Sequence, residues 1–331
     1  MRHAWTLTKV RMRLALRNRA FIFFSLVFPL VFLFLFLGLF ARGNVAAVPY
    51  MLASVLALTI MGSFWGLSMQ LVTFREQGIL RRFRIAPVGA GAMLASSIAS
   101  NYLLTLPTVF IEFIVARRLF HMRDWGNLWG VFILVTLGII TFASLGLIVA
   151  SVTNTAQETQ VINQLLWSAF LFLSGATLPL PVLPGWIQSF ALFMPATYLV
   201  VGLERVLIAR VGAFAIRAEL LSLAVCACIA FVVSQQLFRW EPEAKVPRSA
   251  KLWAAAAIVP FLLLGIWETS YGHVRSTANV DFMSTVEQAA PRGRGRLRVI
   301  PQNDVPQDDF PRNGAPSDAA PQNSEPQTAP K

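Results

Sequence analysis

The residues best suited to chemistry lie in one short run. Positions 74–89 read FREQGILRRFRIAPVG and place four arginines and one glutamate in sixteen residues. An arginine guanidinium is a rigid fork of donors that matches carboxylate or phosphate oxygens two at a time. Two uses compete: pairing with carboxylates on a cytosolic protein, or holding anionic lipid at a membrane surface. Neither is catalysis, and no other stretch supplies it. The chain shows no paired carboxylates, no nucleophile–base set and no metal-ligand cluster. His3, His121 and His273 are far apart and lack ligand spacing. Cys226 and Cys228 stand two residues apart in an apolar run, so on a helix they point in different directions and frame neither a disulfide nor a metal site. No Gly-x-x-x-x-Gly-Lys-Ser/Thr phosphate loop occurs. The chain reads as a recognition or transport protein, not an enzyme.

The elements that must position this run are apolar. Of 331 residues 56% are hydrophobic and 13% charged, with a mean hydropathy of +0.61, whereas soluble domains carry roughly a quarter charged residues. Several runs reach the roughly 20 apolar residues that cross a bilayer. The fold class is all-α, a polytopic transmembrane helical bundle. The formal net charge of +12 does not point to nucleic acid, because most basic residues flank apolar spans, as topology signals do.

Six core spans are predicted, over residues 21–40, 50–73, 92–115, 128–150, 161–177 and 220–238. The basic segment 1–20 reads as an interfacial amphipathic helix, with Trp5, Leu7, Val10, Leu14 and Leu16 among its cations. The first apolar run is too long for a signal-peptide core, and Ala41-Arg42-Gly43 is a poor cleavage site, so it is expected to be retained. In the second span Gly62 and Gly66 have the spacing that lets helices approach closely. Between spans five and six, LPLPVLPG (178–185) puts three prolines in eight residues and cannot continue a helix. Residues 186–210, interrupted by Pro195, Glu204 and Arg205, are expected to form a re-entrant or interfacial helix pair on the outer side. Residues 242–270 hold a linker and a seventh apolar run, 252–267, with Trp253 and Trp267 as interfacial anchors. The Pro-, Gln- and Asn-rich segment 271–331 cannot bury a core and reads as a disordered tail.

With the N-terminus inside, the inner segments carry fourteen lysines and arginines against seven in the outer ones, the asymmetry expected of cytoplasmic loops. A seventh span would then leave the tail outside. Polar residues within the spans are few. Glu112 is expected near the outer end of the third span as an ion-pair partner of Arg117 and Arg118. Asn101, Glu158, Asn163 and Gln164 are candidate gate or translocation-path residues, with interhelical hydrogen bonding as the alternative use. In the charged run, Ile79, Leu80 and Phe83 share a helical face while Arg81, Arg82 and Arg84 cover the others, and Pro87 ends the helix. This predicts a short amphipathic helix lying under the membrane.

The order Glu76, Gly78, Leu80, Arg81, Arg82, Arg84, Pro87 after a second span resembles the cytoplasmic loop of type-2 ABC transporter permeases. Ile79 stands where that family often has Thr, and Phe74 where many members carry an acidic residue. Residues 172–207 resemble the family's fifth span and outer re-entrant hairpin, through Gly175, Leu183-Pro184-Gly185-Trp186, Pro195 and Tyr198. Phe238-Arg239-Trp240-Glu241 also matches, so the likeness covers about residues 1–241. It implies a type-2 ABC permease domain over 21–241, working as a homodimer or paired permease with a separate cytosolic ABC ATPase. ATP and magnesium would bind on that ATPase, with no cofactor on this chain. Arg75, Glu76, Gly78, Leu80, Arg81, Arg82, Phe83, Arg84 and Pro87 would form the ATPase-coupling helix. It further implies a multi-pass protein of the bacterial cytoplasmic (inner) membrane that exports an amphipathic drug, lipid or glycan. The residues leave two alternatives open: a membrane scaffold or sensor working through the tail, or a gradient-driven carrier. Spans nearly free of ionisable groups mildly favour an external motor over a gradient.

Overall fold

The computed structural model describes residues 23, 27–38, 48–80, 89–122, 125–238, 259 and 262–269. Among these the regular elements are helical. In chain order they are α1 (Phe28–Phe36), α2 (Val48–Glu76), α3 (Ala90–Arg118), α4 (Leu128–Val152), α5 (Ala156–Leu173), α6 (Gly185–Ala191), α7 (Pro195–Leu207) and α8 (Arg217–Leu237), with a 3₁₀ turn at Leu180–Val182. Helices α2, α3, α4 and α8 are long and apolar enough to cross a membrane. Helices α6 and α7 together have the length and composition of a further span, broken by a 96° bend. Residues 262–269 are helical; the rest of the expected seventh span, the segment 1–20 and the tail 271–331 lie outside the described residues.

Helix α2 is the hub. It packs against α1, α3, α4, α5 and α7, and Leu52, Leu56, Ile60, Met61 and Phe64 on it are fully buried. Helix α4 lies along α2 on one side and α8 on the other. The α2–α4 seam closes because Gly146 of α4 has no Cβ: one there would strike the Phe64 carbonyl. One turn pair earlier, a Cβ at Gly138 would come within 2.8 Å of Ile60 and 2.9 Å of Leu199. Thr141 answers the scarcity of donors in a lipid setting by donating to both the Leu137 carbonyl of its own helix and the Leu223 carbonyl of α8, at 2.7 and 3.0 Å.

Hydrogen bonds group the helix termini at two ends. Glu76, Thr153 and Ala156 meet at one end, where Gly91 also backs onto Gln235 of α8. At the other, Asn127 N donates to the Val206 carbonyl at 3.1 Å and Arg205 meets Glu219.

Three sequence expectations change. The fifth span was expected from residue 161, but α5 starts at Ala156 and ends at Leu173. Thr155 caps it by accepting from Glu158 N at 3.1 Å, so the polar run up to Gln160 is helical despite its composition. Of the two arrangements expected for residues 186–210, the interfacial one does not fit: α6 buries only Ala191, whereas all thirteen residues of α7 are buried. Glu204 and Arg205, read as interruptions, sit inside, and Arg205 Nη1 is 2.6 Å from Glu219 Oε1 of α8. A buried guanidinium tolerates that depth because a carboxylate meets it. Finally, Gly62 and Gly66 do not serve close helix approach among the described residues, where a Cβ at either would meet nothing within 4 Å.

Candidate functional site

The stem of the charged run is fixed by two adjacent residues of the last turn of α2. Arg75 is only 2% exposed. Its Nη1 donates to the Ala150 carbonyl at 2.9 Å and its Nη2 to the Thr153 carbonyl. Glu76 Oε1 accepts from Ala156 N at 2.7 Å. The last carbonyls of α4 and the first amides of α5 have no partners within their own helices, and these side chains supply them. The charges also match the helix ends, a cation at the C-terminus of α4 and an anion at the N-terminus of α5. Arg75 is therefore turned into the bundle and is not one of a row of exposed cations. Gly78, at φ +69°, ends α2, its N–H donating to the Arg75 carbonyl at 3.1 Å. Residues 79–80 are helical again after that break. Leu80 is fully buried beside Leu67, Leu71, Met93 and Leu94. Arg81, Arg82, Phe83, Arg84 and Pro87 lie outside the described residues.

From that clamp α5 runs along α2. Glu158 is exposed, and its Oε2 accepts from Asn154 N at 2.8 Å, reinforcing the cap. Asn163 is fully buried and paired with Ser68 of α2, its Nδ2 2.8 Å from the hydroxyl. Phe170 stacks edge-on against Phe64 and Phe142, with centroids 5.5 and 5.4 Å away. These contacts hold one face of α5. Its other face leaves Gln160, Gln164, Leu165 and Phe172 exposed.

Beside this face a cavity of about 760 Å³ opens between α1, α2, α3 and α5, a size typical of small-molecule sites. Helix α5 brings Gln160, Gln164 and Trp167 to it, and α1 brings Phe28, Pro29 and Phe32. Helix α2 contributes Thr59, Gly62, Ser63, Trp65 and Gly66, and α3 contributes Asn101, Thr105 and Thr108. The two glycines of the close-approach spacing thus form open wall. Of the candidate path residues, Asn101 and Gln164 share this cavity; Asn163 and Glu158 are not among its lining residues. Trp65 and Trp167 meet edge-to-face at 6.2 Å.

The hairpin residues serve the bend. Gly175 takes φ +92° just past α5. Pro184 is the N-cap of α6, Gly185 its first residue, and Trp186 is 74% exposed. Pro195 opens α7, where its missing N–H costs nothing. The Tyr198 hydroxyl donates to the Leu192 carbonyl at 2.9 Å and fastens α7 to the turn before it.

Sequence reasoning missed most of the cavity wall and misread Glu112. That residue makes no ion pair with Arg117 or Arg118: it is fully buried, Oε1 accepts from the Thr59 hydroxyl at 2.5 Å, and Oε2 has no hydrogen-bond partner among the described residues. Arg117 instead lies 4.5 Å over the Trp125 ring. The missed signal was the spacing Asn101, Thr105, Thr108, Glu112, one stripe down a helix face in an otherwise apolar run.

Helices long and apolar enough to cross a membrane, packed about α2, define a multi-pass membrane protein. Residues 2–208 match the ABC-2 type transporter family, and the chain belongs to it as a type-2 ABC transporter permease. The chain is 25% identical over 150 residues to the linearmycin resistance permease protein LnrN of Bacillus subtilis, covering 45% of this chain and 39% of that protein. It is 28% identical over 175 residues to the probable doxorubicin resistance ABC transporter permease protein DrrC of Mycobacterium tuberculosis, covering 49% of this chain and 62% of that one. The chain thus spans less than two thirds of the length of either relative.

Proposed function

We propose that this chain is the membrane subunit of an ATP-driven exporter, moving an amphipathic molecule through the cavity between α1, α2, α3 and α5. The Arg75–Glu76 clamp carries this reading. It ties the stem of the charged loop to the start of α5, and α5 brings Gln160, Gln164 and Trp167 to the cavity wall. A pull on the loop therefore passes to the cavity along one rigid helix. The puller is a cytosolic ABC ATPase, bound through Arg81, Arg82 and Arg84, which hydrolyses ATP with magnesium while this chain binds neither. Two permeases, two copies of this chain or this chain and a paired one, enclose the path in the inner membrane. In this arrangement the N-terminus and the loop are inside, and the α6–α7 hairpin re-enters from the outer side. The two relatives named above are resistance permeases, which supports a small amphipathic cargo over a glycan.

The test is co-expression of the full chain with an ABC ATPase subunit, followed by uptake of an amphipathic dye into inverted membrane vesicles. Uptake should require ATP, stop with vanadate and survive an uncoupler. Reversing Arg81, Arg82 and Arg84 to Glu should release the ATPase from the purified complex. Uptake that follows the proton gradient and ignores vanadate overturns the ATP-driven reading. An ATPase that stays bound after triple reversal overturns the docking role.

A further inference from the structure

We infer that the cavity selects amphipathic cations and that the Glu112 carboxylate is the counter-charge for the cargo's ammonium group. The inference rests on the permease reading above and narrows its substrate class. Three observations support it independently of the comparisons.

The first is the sign of charge. Among the described residues no lysine or arginine lines the cavity, so none of them would receive a phosphate, sulfate or carboxylate headgroup. The nearest ionisable group linked to that lining is Glu112, fully buried just behind it. It continues the stripe of Asn101, Thr105 and Thr108 by one turn of α3, and it shares the Thr59 hydroxyl with the cavity wall. The second is unmet valence. Glu112 Oε2 and the Ser63 hydroxyl are buried without a hydrogen-bond partner among the described residues, and so is Asn101 Nδ2. Buried polar groups are ordinarily satisfied, and a carboxyl at membrane depth gives up its proton readily only when a cation comes beside it. Among the described residues no cation meets Glu112, and Arg117 is engaged with Trp125. The third is the aromatic wall. Trp65, Trp167, Phe28 and Phe32 border the same space, and indole faces attract ammonium groups while accepting apolar bodies. Hydroxyls and indoles around one cavity, with a carboxyl behind the Thr59 hydroxyl, are the complement of a molecule with a flat or greasy body and a positive end.

Equilibrium binding to the purified full-length chain in lipid nanodiscs tests this without any ATPase. The probes are a pyrenyl alkyl chain ending in trimethylammonium and its uncharged tert-butyl isostere. Energy transfer from the wall tryptophans reads binding, and the paired change of Trp65 and Trp167 to Phe should lower it. The cation should bind at least about tenfold more tightly than the isostere, the scale of one good cation–aromatic or charge contact. Glu112→Gln should remove the preference while leaving the affinity for the isostere unchanged, which also shows that the variant is folded. Glu112→Asp should keep most of it. Gly66→Leu, placed where a side chain has room, should abolish binding of both probes. Equal binding of the two probes by the unaltered chain overturns the inference whatever the variants do, and so does a preference that survives Glu112→Gln. Failure of ATP-dependent transport, by contrast, overturns the permease reading and leaves this comparison standing.

Discussion

The guanidinium of Arg75, in the last turn of α2, donates to the carbonyl of Thr153, the residue that ends α4. A side chain that reads as part of an exposed basic loop is thus a structural pin. Its neighbour Glu76 pins the next helix, so residues 75 and 76 hold both sides of the α4–α5 turn.

Replacing Arg75 by Met should remove the α4 cap and leave two buried carbonyls unmet, costing about 1–3 kcal/mol. Under the proposed function the variant should still bind the ATPase, because the substitution leaves Arg81, Arg82 and Arg84 unchanged, yet transport poorly. Thermal unfolding of the purified chain and dye uptake in vesicles, measured on the same preparation, check the two halves of this prediction.

Glu76→Ala and Thr155→Ala each delete one cap of α5 and should each cost about 0.5–2 kcal/mol. Glu158→Gln keeps an oxygen for Asn154 N and should change stability and transport little. A transport defect in Glu158→Gln equal to that of Glu76→Ala would restore Glu158 as a gate residue. Denaturant titration with parallel uptake assays decides.

The Arg205–Glu219 pair is buried, with Glu219 fully enclosed. Breaking it with Arg205→Ala should destabilise the bundle by about 3–5 kcal/mol, because a buried carboxylate loses the guanidinium that meets it. The double change Arg205→Met, Glu219→Met should recover most of that loss. Unfolding midpoints of the two variants in the same detergent compare them.

Two glycine substitutions should behave oppositely. Gly146→Ala drives a methyl into the Phe64 backbone and should cost about 1–3 kcal/mol or more, with the α2–α4 seam forced apart. Gly62→Ala meets nothing and should leave folding unchanged. Yield of monodisperse protein and melting temperature read the contrast directly.

Much of the bundle was legible because lipid imposes a strong rule: a long uncharged run must be a helix that satisfies its own backbone. The second, third and fourth expected spans fall within α2, α3 and α4, and the sixth falls within α8 but for its last residue, for that reason. Where a capping residue rather than hydropathy sets the boundary, the reading slipped, as at Thr155. Where a charge is paired across helices, composition misled, as at Arg205 in α7. The candidate site was legible in part: Asn101 and Gln164 meet at the cavity, but the hydroxyl stripe that joins them to Glu112 was not recognised.

By itself the sequence determined the class of element and the second, third, fourth and sixth spans, since these follow from hydrophobicity along one chain. Only the tertiary structure decided which polar groups face one another. Arg75 answers Thr153 across 78 residues and Thr59 answers Glu112 across 53, and which helix faces meet at such separations is set by side-chain packing such as the Gly146–Phe64 contact, which no local pattern encodes.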